Sequence, residues 1–239
     1  MIKKNTLKII AEIHPQHKGS MNEIKRMILQ CKFSGADIVK VQLYDSKKLF
    51  NDEKRGYLEI SKDELAEINN FCINNDIELS ASIFDLKRVD WCSELKFKTY
   101  KIASRSVDDR ELCEKIISLN KNVIISLGMY DFVNKKIPYE GNNIDYLYCV
   151  SKYPASYEDV KMPDFRNSFF KGYSDHTIGN GAALFAIARG AKIIEKHFTN
   201  NKALNIQTEM AHVCSMDQTD LMNLRNLGES LSLLQTQVN

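Results

Sequence analysis

Residues 171–199 read KGYSDHTIGNGAALFAIARGAKIIEKHFT, two apolar strand-like runs that each end in a histidine, with an Ala/Gly-rich helix between them. Residues 169–174 form a strand that runs into Asp175-His176-Thr177. Gly179-Asn180-Gly181 opens a helix through Arg189, and residues 191–195 are a second buried strand leading to His197. A strand–helix–strand unit crosses over right-handed and returns its second strand parallel to the first. His176 and His197 therefore sit at the same end of neighbouring strands. Two neutral imidazoles converging there suit a metal ion. They also suit a strand cap beside a hydrogen-bonded core histidine, and spacing alone leaves both readings open.

Outward from this unit the same alternation repeats. Strands are expected at 7–13, 36–43, 77–83, 98–103, 122–126 and 144–150. Ser20 with Glu23, and Ser61 with Glu64, have the spacing of capping boxes and start helices to about 33 and 75. A short helix follows Asp85, another covers 108–119, and 217–234 is a closing amphipathic helix. Residues 44–61 are charged and irregular, and Pro154 and Pro163 make 151–168 mostly loop. Eight strands alternating with helices or helix-sized connections give an α/β fold, a (β/α)8 TIM barrel in a single domain over residues 1–239. The runner-up, an open doubly wound sheet, lacks a Gly-rich fingerprint after the first strand.

Composition agrees. The chain has 239 residues, 44% hydrophobic, enough for one large core. A net charge of +2 gives no footprint for nucleic acid. Six cysteines without CxxC spacing read as reduced thiols. The N-terminal apolar run is too short for a signal peptide or a membrane span, so a cytoplasmic location without membrane contact is expected.

Polar residues at the expected strand ends are Glu12, Lys40, Ser82, Lys101, Ser126, Ser151, His176 and His197, separated by 28, 42, 19, 25, 25, 25 and 21 residues. In a closed barrel they ring one mouth, where catalytic residues of this fold sit. Lys40 and Lys101 each interrupt an apolar strand. A lysine is rarely buried without a partner, so the pair suggests an anionic ligand, with snorkelling to the rim as the alternative. With Ser104 and Ser126 they would suit a phosphate and a carboxylate. Lys171, Lys192 and Lys196 are expected to face solvent.

At this point the sequence resembles the sialic acid synthases, enzymes that condense phosphoenolpyruvate with an N-acylated amino sugar. The resemblance runs through AEIHPQHKGS at 11–20, GADIVKVQ at 35–42, KIAS at 101–104, SLGM at 126–129, CVSKYPASYEDV at 149–160, GYSDHTIG at 172–179, EKHFT at 195–199 and VCSM at 213–216. It implies that His176 and His197 bind a divalent metal, commonly manganese, with magnesium or cobalt as alternatives. It implies catalytic roles for Glu12, Lys40, Lys101 and Tyr153, and substrate binding by Gln42, Ser82, Ser104, Ser126, Ser151 and His212. The implied product is a nonulosonic acid, and the implied assembly a homodimer. The competing reading is a degenerate barrel that binds a sugar or phosphate ligand without condensing it.

The departures from the family concern the acceptor. Family members usually carry a C-terminal antifreeze-like domain that brings an arginine to the partner's sugar site. The sequence in hand ends at Asn239, so that contact is expected from a separate antifreeze-like protein or not at all. Residues 43–57 are a shorter connection than usual, Ser106 and Ala211 stand where acids are expected, and Glu209 is near the second. The phosphoenolpyruvate and metal half reads as intact; the acceptor half does not.

Overall fold

The computed structural model describes residues 7–204 and 210–235, with only the backbone of Met210 and Ala211, so Glu209 and the Ala211 side chain lie outside the described residues. The strands are β1 (Lys8–Glu12), β2 (Ile38–Leu43), β3 (Glu78–Ile83), β4 (Thr99–Ile102), β5 (Asn122–Ser126), β6 (Ile144–Cys149), β7 (Phe170–Asp175) and β8 (Ile193–His197). Each pairs in parallel with the next, and β8 pairs with β1 to close the barrel. The helices are α1 (Met21–Phe33), α2 (Ser46–Phe50), α3 (Lys62–Asn74), α4 (Leu86–Glu94), α5 (Arg110–Ser118), α6 (Gly181–Ala188), α7 (Met210–Val213) and α8 (Gln218–Gln235). None among the described residues is long and apolar enough to cross a membrane. All six cysteines are buried.

The two-residue period of the strands sorts side chains into layers. Ile10, Ile38, Ile124, Leu147 and Ile193 make a small apolar cluster of their own. Two residues further along the same strands come Glu12, Lys40, Ser126, Cys149 and Glu195, which line a cavity. The barrel thus has an apolar plug and, above it, a polar floor. The alternate positions, among them Ile9, Val39, Ile125 and Ile194, pack in the main core with Ile28, Leu65, Ile116 and Ile187 of the helices. Gly172 is required on β7, because a Cβ there would meet the Ile193 carbonyl oxygen at 1.9 Å.

Local signals account for most helix starts. The Ser61–Glu64 capping box is present in both directions. At α1 only half of the expected box forms. Ser20 accepts from the Glu23 amide, but the Glu23 carboxylate turns to Arg26 at 3.1 Å and accepts from Asn200 at 2.5 Å. Residues 44–61 are more ordered than their charge suggested. The Asp45 side chain accepts from the Lys48 amide at 3.0 Å and starts α2.

Candidate active site

The carboxyl ends of the strands surround a cavity of about 670 Å³. All eight residues expected at the mouth line it, and so do Gln42, Ser104 and Tyr153. His212 does not: it is buried, and burial lowers its pKa to about 4. Ser106, at a position where an acid was expected, is also buried away from the cavity.

The floor is an ionic network rather than a patch of lysines. Lys40 donates to Glu12 and, at 2.8 Å, to Ser82 Oγ, and its Nζ lies 3.8 Å from Glu195 Oε2. Lys101 Nζ lies 3.8 Å from Glu195 Oε1 and donates to the Ile102 carbonyl at 3.0 Å. Ser174 donates to Glu195 Oε1 at 3.0 Å, and the His14 amide donates to Glu12 Oε1 at 2.9 Å. Burial works against every charge here. It raises the Glu12 pKa despite Lys40. It lowers that of Lys101 despite Glu195. On Lys40 burial is outweighed by Glu12 and Glu195, which raise the ammonium pKa, and on Glu195 by Lys101 and Lys40, which lower the carboxyl pKa. The lysines therefore do have acid partners, brought from other strands by barrel closure.

Hydroxyls complete this side. Ser126 Oγ is buried and finds no hydrogen-bond partner among the described residues. Ser104 Oγ accepts from the Gly128 amide at 3.0 Å. Gly128 leaves room for Ser151, whose Oγ would stand 2.4 Å from a Cβ at that position.

The two histidines meet as the strand–helix–strand unit requires, with ring centroids 5.8 Å apart and the Tyr153 ring 4.1 Å from that of His176. His176 Nδ1 lies 2.8 Å from the Val150 carbonyl, which can only accept, so Nδ1 carries a proton and, in the neutral ring, Nε2 keeps a lone pair. His197 Nδ1 is 3.3 Å from Gln16 Nε2. Metal–imidazole bonds are about 2.0–2.1 Å, and two imidazoles this close that both line the cavity could share one ion. Among the described residues no group of three or more His, Cys, Asp and Glu gathers around a metal position. The imidazole pair fits a divalent ion that takes its other ligands from water or substrate.

Lys196 corrects an expectation. It does not face solvent: its side chain is fully buried, with Nζ 2.8 Å from Asp175 Oδ2 and 2.6 Å from the Thr177 carbonyl. Asp175 Oδ1 accepts from the Thr177 amide and hydroxyl, both at 2.8 Å. This clamp fixes the turn that carries His176. Lys171 and Lys192 are exposed as expected.

The remaining wall comes from residues that sequence reasoning passed over. Tyr44, Leu49, Phe50, Arg55 and Leu58 of the connection after β2 line the cavity, with Phe84 and Arg105. Tyr44 packs edge-on against Phe50 and Phe84, with ring centroids at 5.3 and 6.3 Å. The guanidinium carbons of Arg55 and Arg105 lie 4.4 and 5.3 Å from the Phe50 ring. His14 Nε2 lies 3.1 Å from the Tyr44 hydroxyl. The short connection therefore does build part of the site.

The NeuB family model matches residues 27–237. The chain belongs to the NeuB family. It is similar to the N,N'-diacetyllegionaminic acid synthase of Legionella pneumophila, at 32% identity over 90% of this chain and 69% of that one. It is also similar to an uncharacterised protein of Methanocaldococcus jannaschii, at 34% identity over 81% of this chain and 62% of that one. The chain thus spans 62% and 69% of the lengths of these two relatives. Among solved structures, the N-acetylneuraminic acid synthetase of Leptospira borgpetersenii, in complex with citrate, superposes with a TM-score of 0.85. Its identity is 27%, over 96% of this chain and 85% of that one.

Proposed function

We propose that this barrel condenses phosphoenolpyruvate with the open-chain aldehyde of an N-acylated amino sugar, releasing phosphate and a nonulosonic acid. The observation that carries this reading is the shared cavity. Two buried lysines and a row of serine hydroxyls form one side and an imidazole pair the other, in a NeuB-family chain.

Phosphoenolpyruvate carries a carboxylate and a phosphate, and Lys40, Lys101, Ser82, Ser104 and Ser126 supply charge-assisted and neutral donors for both. A divalent ion on His176 and His197 supplies, when bound, Lewis-acid polarisation of the aldehyde. The enol carbon attacks the aldehyde carbon, water adds at C2 of the resulting cation, and the C–O bond to phosphate breaks to leave the 2-keto acid. The proton for the new sugar hydroxyl and the proton from water both need a carrier. Glu12, its carboxyl pKa raised by burial, is the group suited to hold one at Oε2 when Lys40 turns to the ligand. A Schiff-base aldolase would instead need a lysine held neutral in an apolar pocket, whereas here Lys40 donates to Glu12 and Lys101 lies beside Glu195.

The acceptor wall combines the aromatic and apolar side chains of Tyr44, Leu49, Phe50, Leu58 and Phe84 with the guanidiniums of Arg55 and Arg105, which suits an acceptor with few hydroxyls and carbonyl-bearing N-acyl groups. The Legionella relative is named for a doubly N-acylated product, in keeping with such an acceptor. The test is steady-state phosphate release from phosphoenolpyruvate, with manganese, against N-acetylmannosamine and its deoxygenated bis-acetamido analogues. Each is run with and without an added antifreeze-like domain. Turnover of a deoxygenated analogue with poor use of N-acetylmannosamine is expected. Efficient, saturable turnover of N-acetylmannosamine by the lone chain overturns the acceptor assignment. Silence across the panel despite phosphoenolpyruvate binding favours the degenerate barrel.

A further inference from the structure

One backbone amide fixes the direction of a buried chain of hydrogen bonds behind the acceptor wall. The Gly19 amide, which can only donate, lies 3.0 Å from His17 Nδ1. That nitrogen therefore offers a lone pair, and the neutral ring carries its proton on Nε2. His17 Nε2 is 2.8 Å from His14 Nδ1 and donates to it. His14 is then protonated on Nε2, which lies 3.1 Å from the Tyr44 hydroxyl oxygen and donates there. Turning either ring over would put carbon at both of its contacts. Both histidines are buried, and burial holds the His17 pKa at about 4 and that of His14 well below the ordinary 6.5, so both rings are neutral at pH 7.

His14 joins the two sides of the cavity. Its own amide donates to Glu12 Oε1 at 2.9 Å, which ties its backbone to the polar floor. Its ring reaches Tyr44, the first residue after β2, and Tyr44 packs against Phe50 and Phe84 of the acceptor wall. The same turn touches the connection a second time. A Cβ on Gly19 would meet the Tyr57 carbonyl oxygen at 2.1 Å, and Tyr57 precedes the wall residue Leu58. The connection over residues 44–58 is thus seated on the turn that follows β1, and the His14 ring carries a hydrogen bond in that seating.

We propose that His14 is the positioning residue of the acceptor wall: anchored beside Glu12 through its backbone and oriented by His17 through its ring, it holds the Tyr44 hydroxyl and so sets where the acceptor sugar lies relative to the floor. This role rests on the proposed condensation, and it belongs to sugar binding rather than to phosphoenolpyruvate binding or the chemical step.

The test is steady-state phosphate release by the full chain with manganese, varying phosphoenolpyruvate and the deoxygenated bis-acetamido analogue of N-acetylmannosamine in turn. His14→Phe keeps the ring and the amide bond to Glu12 but loses both ring hydrogen bonds. Its KM for the sugar should rise about 3- to 10-fold, with kcat and the KM for phosphoenolpyruvate within about twofold of wild type. His14→Gln, whose amide can donate to Tyr44, should recover most of the lost sugar KM. Tyr44→Phe removes the same bond, so the double variant His14→Phe/Tyr44→Phe should be no worse than the poorer single variant. Multiplying effects, a wild-type sugar KM in His14→Phe, or equal rises in both KM values overturn the inference while leaving the condensation in place. Should His14→Phe fail to fold, 15N shifts of the wild-type imidazoles at pH 8 decide: His14 and His17 should both be protonated at Nε2, and a proton on His14 Nδ1 overturns the chain. No turnover of any sugar by the wild type overturns the proposed condensation and this inference together.

Discussion

Replacing Lys196 by Met should destabilise the protein far more than a change at a surface lysine. Lys196 and Asp175 are register partners on β8 and β7, and both side chains are fully buried. The substitution leaves the Asp175 carboxylate without its cation, with the Thr177 amide and hydroxyl still donating to it. It also leaves the Thr177 carbonyl without the Nζ donor. Breaking a buried pair by removing one partner costs about 3–5 kcal/mol. That is a large share of the roughly 5–15 kcal/mol of a typical domain. At about 2–4 °C per kcal/mol for a chain near this size, the melting temperature should fall by roughly 6–20 °C. The assay is thermal unfolding followed by circular dichroism, repeated in urea. Asp175→Asn keeps the acceptor for Thr177 and removes the charge. The double variant Asp175→Asn/Lys196→Met should therefore lose about 0.5–3 kcal/mol less than the sum of the single changes. His176 stands between the two clamped residues, so Lys196→Met should also weaken manganese binding. A Lys196→Met protein that melts within about 2 °C of wild type would refute the buried clamp and return Lys196 to the surface.

Changing His176 or His197 to Ala should abolish tight manganese binding with little change in the urea midpoint; an unaltered calorimetric titration in both variants would place the ion elsewhere. Lys101→Met should weaken phosphoenolpyruvate binding by about 2–5 kcal/mol, and the wild-type affinity should decline at a pH below the ordinary lysine value of 10.5, because burial lowers the Lys101 pKa and the binding form is the ammonium. A borohydride-trapped pyruvate adduct on Lys101 would instead support a Schiff-base aldolase. His17 is held near pKa 4 by burial against the ordinary imidazole value of 6.5, so its contribution to stability is fully present above pH 6.5 and is lost as pH falls toward 4, by about 3 kcal/mol; the urea midpoint of His17→Gln should fall less steeply than that of wild type over this window. Ser126→Ala should raise the stability of the ligand-free protein by about 1 kcal/mol, since it removes a buried hydroxyl with no described partner, while weakening phosphoenolpyruvate binding; losses in both would mean that Ser126 Oγ is already bonded.

The barrel was legible because each strand states its period. Ile10 and Glu12, Ile38 and Lys40, and Ile193, Glu195 and His197 are all spaced by two, so plug, floor and mouth can be read along one strand. Counting back by two from His197 would also have found Glu195, which the run KIIEKHFT disguises among alternating charges. Lys196 misled for the opposite reason. Alternation points it away from the cavity, but on a barrel strand that direction leads into the layer beneath the helices, not into water. The cavity-lining role of Tyr44, Phe50 and Arg55 had no periodic signal, because they lie on a short helix and turns whose direction is set by tertiary packing.

The acids explain how far sequence reasoning about the two lysines could go. Lys40 and Lys101 pointed to an anion because no carboxylate is close in sequence, yet pairing of β1 with β2 supplies Glu12 and closure of β8 onto β1 brings Glu195. At 3.8 Å and an effective dielectric of 20, each such pair is worth about 4 kcal/mol, comparable with the several kcal/mol that burying an ion costs. The floor can therefore balance its charges with its own side chains. An anion entering it does not meet free cations: it must draw Lys40 from Glu12 and share Lys101 with Glu195. Much of its attraction to the lysines is offset by the carboxylates left behind, so the net gain depends on groups that have no better partner in the empty state. Among the described residues Ser126 Oγ is one such group, and Glu12 can lessen the loss by taking a proton. Affinity for the anion is then set by the geometry of hydroxyls and proton positions at least as much as by the two positive charges that first drew attention to the site.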